Sequence, residues 1–320
     1  MKEGIMAKLI VADPGHGWGK FYDGSERCKF ESMLGEKQGS LMGGQHSQIA
    51  TDEGHWLIGK SARIQSRNKM TGVDESWVLS PKYRALMLYG ISRFVPAGQK
   101  QITINLASTL AIRDYKRSRA EVVDSLNGEH KVEIDGQQEI RIIINNVRML
   151  PQGFAPASSY IASGRYNITT DLGTRNINFS SFDGKEIVFA KTDSSEDGAI
   201  SVLQNIAQHI ADQYGVEYHP IDLIERDIIQ TGMIRVYGEN KNIQPIIDHE
   251  KDEYFNAYLS LVSNTWRHEL PRIDNIIVFG GGDYLIGVKI AARFPQVVRL
   301  PRPQWAQVES VYSYMSAKGV

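Results

Sequence analysis

The chain has 320 residues, long enough for two domains, with 42% hydrophobic and 23% charged residues. Its 36 basic and 37 acidic side chains leave a formal net charge of −1, so whole-chain disorder, coiled coil and a global electrostatic footprint for nucleic acid or an anionic membrane are excluded. Cys28 is the single cysteine, which rules out an intrachain disulfide or a cysteine metal site and fits a reducing cytoplasm.

The amino end from Met1 to Lys8 lacks a signal-like apolar run, and no stretch approaches the ~18 apolar residues of a membrane span, so a cytoplasmic location is expected. Lys8 to Asp13 reads as a buried strand ending in an acid. A Gly-rich turn leads to a return segment at Lys20 to Tyr22, Asp23-Gly24 signals a hairpin, and Cys28 to Leu34 reads as the next strand. Ser80 caps a helix running to Phe94, with Pro81 in its first turn. Ile102 to Leu106 is a strand, Arg113 to Leu126 an amphipathic helix, and Asp135-Gly136 the turn of a second hairpin reaching Ile144.

The second half restarts in the same way. Tyr166 to Asp171 is a strand ending in an acid, Leu172 to Asn176 a tight turn, and Ile177 to Phe182 a return strand; Asp183-Gly184 leads to a strand at Lys185 to Lys191. Helices follow at Gly198 to Tyr214, Ile221 to Thr231 and Lys251 to Leu270. The strand Asn275 to Phe279 runs into Gly280-Gly281-Gly282 and a helix to Phe294, and a last helix occupies about 304–320. Asp13-x-Gly15 and Asp171-x-Gly173, each followed by a return strand and an Asp-Gly turn, form an internal duplication, which carries more weight than either motif alone.

Such turns suit phosphate. Gly15, Gly17 and Gly19 let backbone amides approach an anion, with His16 and Trp18 inside the turn and Lys20 as a cation; the second turn offers Gly173, Thr174, Arg175 and Asn176. Asp13 and Asp171 would act through Mg²⁺, which takes few protein ligands and keeps its waters. Gly280, Gly281 and Gly282 at the start of a helix that begins with Asp283 allow close approach of a flat ring. A strand-to-helix turn needs one or two glycines, so the third asks for a ligand. Gln152, in Pro151-Gln152-Gly153, can orient a water for attack on a γ-phosphate. Gly54 to Ser61 satisfies the Walker A spelling, but Trp56, Leu57 and Ile58 are too bulky for a phosphate loop and read as strand.

These residues resemble the actin, sugar-kinase and chaperone ATPase superfamily. Asp13 to Lys20 resembles its first phosphate motif, Asp171 to Asn176 its second, and Ile276 to Leu285 its adenosine motif. Within it, the chain most resembles the ParM-type actin-like proteins of plasmid segregation and their archaeal relatives, through Trp56-Leu-Ile-Gly59 with Ala62, and through Tyr115, Leu126, Gly128 and Val132. Asn105 to Ser108 falls where that group has a Gly-Leu-Pro turn, and Gln307 to Ser310 departs from its last-helix pattern.

The resemblance implies an α/β fold of duplicated actin-like (ribonuclease H-like) domains clamped around a nucleotide cleft. Domain I would span 1–164, with the last helix packing back on it, and domain II 165–303. It further implies ATP/ADP and Mg²⁺ as cofactors, with phosphates on the two turns, Asp13, Asp171 and Gln152 as catalytic residues, and adenosine at Gly280 to Asp283. Self-assembly into filaments follows, with hydrolysis coupled to their dynamics. DNA would be held by a separate adaptor rather than directly. The alternative is a non-polymerising ATPase or small-molecule kinase of the same superfamily.

Overall fold

The computed structural model describes residues 7–36, 46–70, 77–137, 139–161 and 165–319. The amino-terminal residues 1–6, and residue 164, at which domain I is expected to end, lie outside these. The chain forms two units, Met1–Ser158 with Trp305–Val320, and Ser159–Gln304. Among the described residues no helix is long and apolar enough to cross a membrane.

In chain order the first unit contains β1 (Lys8–Pro14), β2 (Trp18–Tyr22), β3 (Arg27–Glu31), β4 (Leu34–Glu36), β5 (Gln48–Thr51), β6 (Gly54–Ile58), α1 (Lys60–Gln65), β7 (Lys69–Met70), α2 (Pro81–Ser92), β8 (Gln101–Leu110), α3 (Ile112–Leu126), β9 (Gly128–Ile134), β10 (Glu139–Pro151) and α4 (Phe154–Ala157). The strands make one sheet in the order β3-β2-β1-β8-β10-β9-β5-β6-β4-β7, in which β1, β8 and β10 run parallel. The unbroken apolar run of β1 follows from burial on both faces. Ile10 and Ala12 enter one core with α2, whereas Leu9 and Val11 meet Val308, Val311 and Met315 from the carboxyl-terminal helix on the other side. α2 packs so closely on β2 that a Cβ at Gly90 would lie 2.1 Å from the Phe21 ring.

The second unit contains β11 (Tyr166–Leu172), β12 (Ile177–Asp183), β13 (Glu186–Ile187), β14 (Asp193–Ser195), α5 (Ala199–Tyr214), α6 (Asp222–Glu225), α7 (Ile228–Thr231), β15 (Met233–Val236), β16 (Glu239–Asn242), α8 (Gln244–Trp266), β17 (Asn275–Phe279), α9 (Asp283–Arg293) and β18 (Val297–Arg299); α10 (Ala306–Ser316) then returns to the first unit. Its main sheet has the order β13-β12-β11-β17-β18, with β11, β17 and β18 parallel. This repeats β3-β2-β1-β8-β10 strand for strand, antiparallel hairpins on one side and parallel strands on the other, so the duplication read from two Asp-x-Gly turns is a duplication of topology.

Several expected elements differ. The strand from Cys28 to Leu34 breaks at Ser32 and Met33, because the Ser32 amide donates to Gly17 and the Met33 carbonyl accepts from Gly59. The strand expected at Lys185 to Lys191 keeps only Glu186–Ile187 before a 3₁₀ turn at Phe189–Lys191. The helix expected at Ile221 to Thr231 splits into α6 and α7, because Asp227 takes a left-handed conformation (φ 53°). Asn105 to Ser108, where the resembled group has a Gly-Leu-Pro turn, is the interior of β8, which extends the strand read at Ile102 to Leu106, and the chain turns at Ala111. α8 starts at Gln244, well before Lys251, with Pro245 in its tolerated first turn. By contrast, Trp56 to Ile58 are strand as expected, within Gly54–Ile58, and the Walker A spelling forms no phosphate loop.

Candidate functional site

In each unit the candidate residues gather at the carboxyl ends of adjacent parallel strands, where open α/β sheets bind ligands. In the first unit Asp13 ends β1 and Gln152 follows β10, with β8 between them. Asp13 and Lys20 are direct cross-strand partners, and Lys20 Nζ donates to Asp13 Oδ2 at 2.6 Å, both side chains being largely buried. Lys29 is in turn the cross-strand partner of Lys20, so a second cation lies on the same face. Burial, with the Lys20 charge beside it, holds the Lys29 ammonium below its usual pKa. Its Nζ also sits 4.5 Å from the Trp18 ring centroid, which ties Trp18 to β3. Lys29 escaped the sequence reading because its only signal is register across a hairpin. Of the turn residues, His16 is exposed and Gly15 and Gly17 are half-buried. Gly19 has a packing reason of its own, since a Cβ there would lie 3.0 Å from the Phe30 ring.

Gln152 is half-buried and its amide donates to the Leu110 carbonyl at 2.8 Å. Gly153 after it adopts φ 82° and donates its N–H to Gln307 Oε1 at 3.3 Å. Gln307, only 3% exposed, therefore fixes the turn that carries Gln152. Its departure from the family pattern has a local purpose that the sequence did not show.

In the second unit Asp171 and Phe279 are aligned neighbours on β11 and β17, which places the Asp171 turn beside Gly280 to Gly282. The start of α5 shapes that turn. Its leading amides take three successive turn carbonyls: Ala199 donates to Gly173 at 3.0 Å, Ile200 to Thr174 at 2.7 Å, and Gly198 to Arg175 at 2.8 Å. In a trans peptide the carbonyl and the following N–H point oppositely. The N–H groups of Thr174, Arg175 and Asn176 are therefore aimed away from the helix as a row of partial positive charges, an anion-binding arrangement. Neither Gly173 nor Gly198 tolerates a side chain, as a Cβ would lie 2.6 Å from the Asn176 carbonyl oxygen and 2.2 Å from the Arg175 carbonyl carbon.

The three glycines after β17 differ in purpose. Gly280 has φ 103°, and a Cβ on it would lie 2.4 Å from Asp171 Oδ1 and 2.6 Å from the Leu172 amide. Gly282 donates to the Leu172 carbonyl at 2.7 Å and leaves a Cβ only 3.1 Å from that oxygen. Gly281 alone has room, its nearest neighbour being Gln304 at 3.7 Å. Asp283 is only 4% exposed and its carboxylate takes two bonds from Arg299, at 3.0 and 2.6 Å, so it anchors α9 to β18. Two tyrosines that the sequence reading missed stand nearby. Burial pushes the Tyr254 phenol pKa up, with Tyr284, Asp171 and Asp197 adding to it, while Tyr284 is itself 44% exposed. The Tyr254 hydroxyl is buried and has no hydrogen-bond partner among the described residues, which leaves a donor for a bound group.

Two family models match the chain in order. That for the N-terminal domain of actin-like proteins takes in residues 12–154, and that for the MreB-like C-terminal domain of archaeal actin homologues residues 169–292. The chain belongs to the actin-like superfamily. A search of the curated proteins finds no match. Among solved structures it is similar to the archaeal actin homologue Ta0583 in complex with ADP (16% identity, TM-score 0.80), over 97% of this chain and 99% of that one. It is likewise similar to a non-polymerisable quadruple mutant of pCBH ParM (16%, TM-score 0.77, 97% and 99% covered). A third is the ParM of a 15-stranded filament from Clostridium botulinum (16%, TM-score 0.76, 98% and 100% covered).

Proposed function

We propose that this protein is an ATPase whose ATP-bound form assembles into filaments and whose hydrolysis loosens them. The observation that carries the nucleotide reading is the row of turn amides at Thr174 to Asn176, set by the start of α5 and placed beside Asp171 and Gly280 to Gly282. The first unit repeats the strand-end acid and adds the cations Lys20 and Lys29. Complexes such as the ADP-bound archaeal homologue and the ParM filament support nucleotide binding and self-association.

Lys20 and the turn amides hold phosphate oxygens. Gly281 lets a base or ribose approach the backbone, and Tyr254 has a hydroxyl to donate. Among the described residues no group of three or more His, Cys, Asp or Glu side chains could cage a metal. Single carboxylates at Asp13 and Asp171 fit Mg²⁺, which keeps most of its waters. When bound, that ion would neutralise phosphate charge. Gln152 orients the attacking water, and Gln307 holds the turn in which it sits. Phosphoryl transfer is mainly positioning and charge stabilisation, so slow basal hydrolysis that rises in the polymer follows.

The cargo we propose is DNA held through a separate adaptor, as in plasmid segregation, which agrees with a net charge of −1. Binding of labelled ATP to wild type and to Asp171→Ala tests the nucleotide step. Wild type binds and hydrolyses, and the variant loses hydrolysis. A wild-type chain that binds neither ATP nor ADP overturns the reading.

A further inference from the structure

The hairpin β15–β16 carries a residue that folding alone does not explain. Ile234 and Val236 are buried in the core of the second unit, while Met233, Arg235 and Tyr237 face outward. The two-residue loop is Tyr237-Gly238, with φ 46° and 85°, a type I′ turn. Asn, Asp or Gly favours the first of those positions, and a bulky side chain there is strained. Tyr237 is nevertheless 90% exposed, so it gains no packing in return. Arg235 Nε donates to the Gly238 carbonyl at 3.3 Å and fixes a cation beside the tip. The tip is thus a held, projecting aromatic with an adjacent positive charge, and both are enriched where proteins dock.

The first unit offers a matching recess. A cavity of about 710 Å³ lies between the β5–β6 turn, α2 and the start of β9. Leu88, only 4% exposed, lies at its floor, and Arg84, His130 and Lys131 can face a ring. Asp52 stands exposed at the β5–β6 turn, beside the ion pair of Arg84 with Glu53, and its charge also acts on Arg84. Identical subunits form an open polymer only through two different, complementary patches. The tip, with the cation Arg235, and the recess, with the exposed acid Asp52, are such a pair in charge.

We infer that Tyr237 of one copy seats in this recess of the next, with Arg235 facing Asp52, as a head-to-tail contact of the filament. This rests on the filament reading above. The test is ATP-dependent sedimentation of wild type, Tyr237→Asn, Arg235→Glu, Asp52→Arg and the Arg235→Glu/Asp52→Arg double variant, with thermal unfolding and ATP binding measured on each. Asn suits the turn better than Tyr, so Tyr237→Asn should unfold no earlier than wild type and bind ATP normally. Its critical concentration should rise at least about tenfold. Each charge reversal should weaken assembly, and the double variant should recover most of it. Wild-type assembly by Tyr237→Asn, or a double variant no better than the singles, overturns the contact. A wild type that never sediments overturns the filament reading itself.

Discussion

The ammonium of Lys20 lies 2.6 Å from the carboxylate of Asp13, and the two residues face each other directly across β1 and β2. The acid near the end of β1 and the cation in the middle of β2 are one unit. Cross-strand register brings together residues seven apart in the chain. It also places Lys29 next in line, so one acid and two cations share a face.

Lys20→Met removes both the proposed phosphate ligand and the partner of a largely buried carboxylate. Breaking such a pair leaves an uncompensated charge, at a cost of about 3 kcal/mol. Denaturant unfolding should show that loss, and ATP affinity should fall at least about tenfold. Asp13→Asn/Lys20→Met should recover stability without recovering affinity, which separates the two roles by direct titration.

Gly280 and Gly281 are neighbours with opposite expectations. Gly280→Ala forces a Cβ to 2.4 Å from Asp171 Oδ1 at φ 103° and should cost about 3 kcal/mol or more. Gly281→Ala meets nothing closer than 3.7 Å and should change stability by less than about 1 kcal/mol. Its effect belongs to the ligand, with ATP and ADP affinity reduced together in a binding titration. Unchanged affinity in Gly281→Ala would mean that nothing docks against that peptide.

Gln152→Ala should spare ATP binding and slow phosphate release by at least about tenfold, on the order of 1.4 kcal/mol of barrier. Gln307→Ala touches no substrate yet frees the Gly153 amide, so it should lower the same rate with a smaller loss of stability than a core truncation. Gln307→Glu keeps the accepting oxygen and should retain more of the rate than Gln307→Ala. Single-turnover phosphate release checks all three.

Asp23 supplies an acid-sensitive contact. Burial alone would raise its pKa, but the Lys8 ammonium and the Glu26 and Ser25 amides outweigh it and bring it to about 2. A depressed folded pKa gives stability above the unfolded value of 3.8 that is lost as pH falls towards 2. The shift corresponds to at most about 2 kcal/mol. Asp23→Asn should lower stability at pH 7 and flatten its decline between about pH 4 and 2, as read from urea midpoints.

What was legible in the sequence was periodic or repeated. The run Lys8 to Asp13 reads as a buried strand, and Leu9 to Ala12 are indeed buried, on both faces of the sheet. Asp135-Gly136 reads as a hairpin turn and adopts φ 56° and 70°, as that dipeptide favours. Hidden features depend on partners distant in sequence. Tyr237-Gly238 makes the same class of turn with a residue that no turn preference suggests. Gln307 looks like a pattern violation until Gly153 is seen against it. Three glycines at 280–282 ask in the sequence for a ligand, and only the neighbours of each identify Gly281 as the one with space.

The most direct test is a sedimentation titration of the purified chain with ATP, ADP or no nucleotide, with phosphate release read in the same tubes. The account predicts pelleting with ATP above a threshold concentration, little without nucleotide, and phosphate release that climbs at that threshold. Phosphate release proportional to protein at every concentration, with nothing in the pellet, would contradict it and leave an ATPase or kinase that does not polymerise.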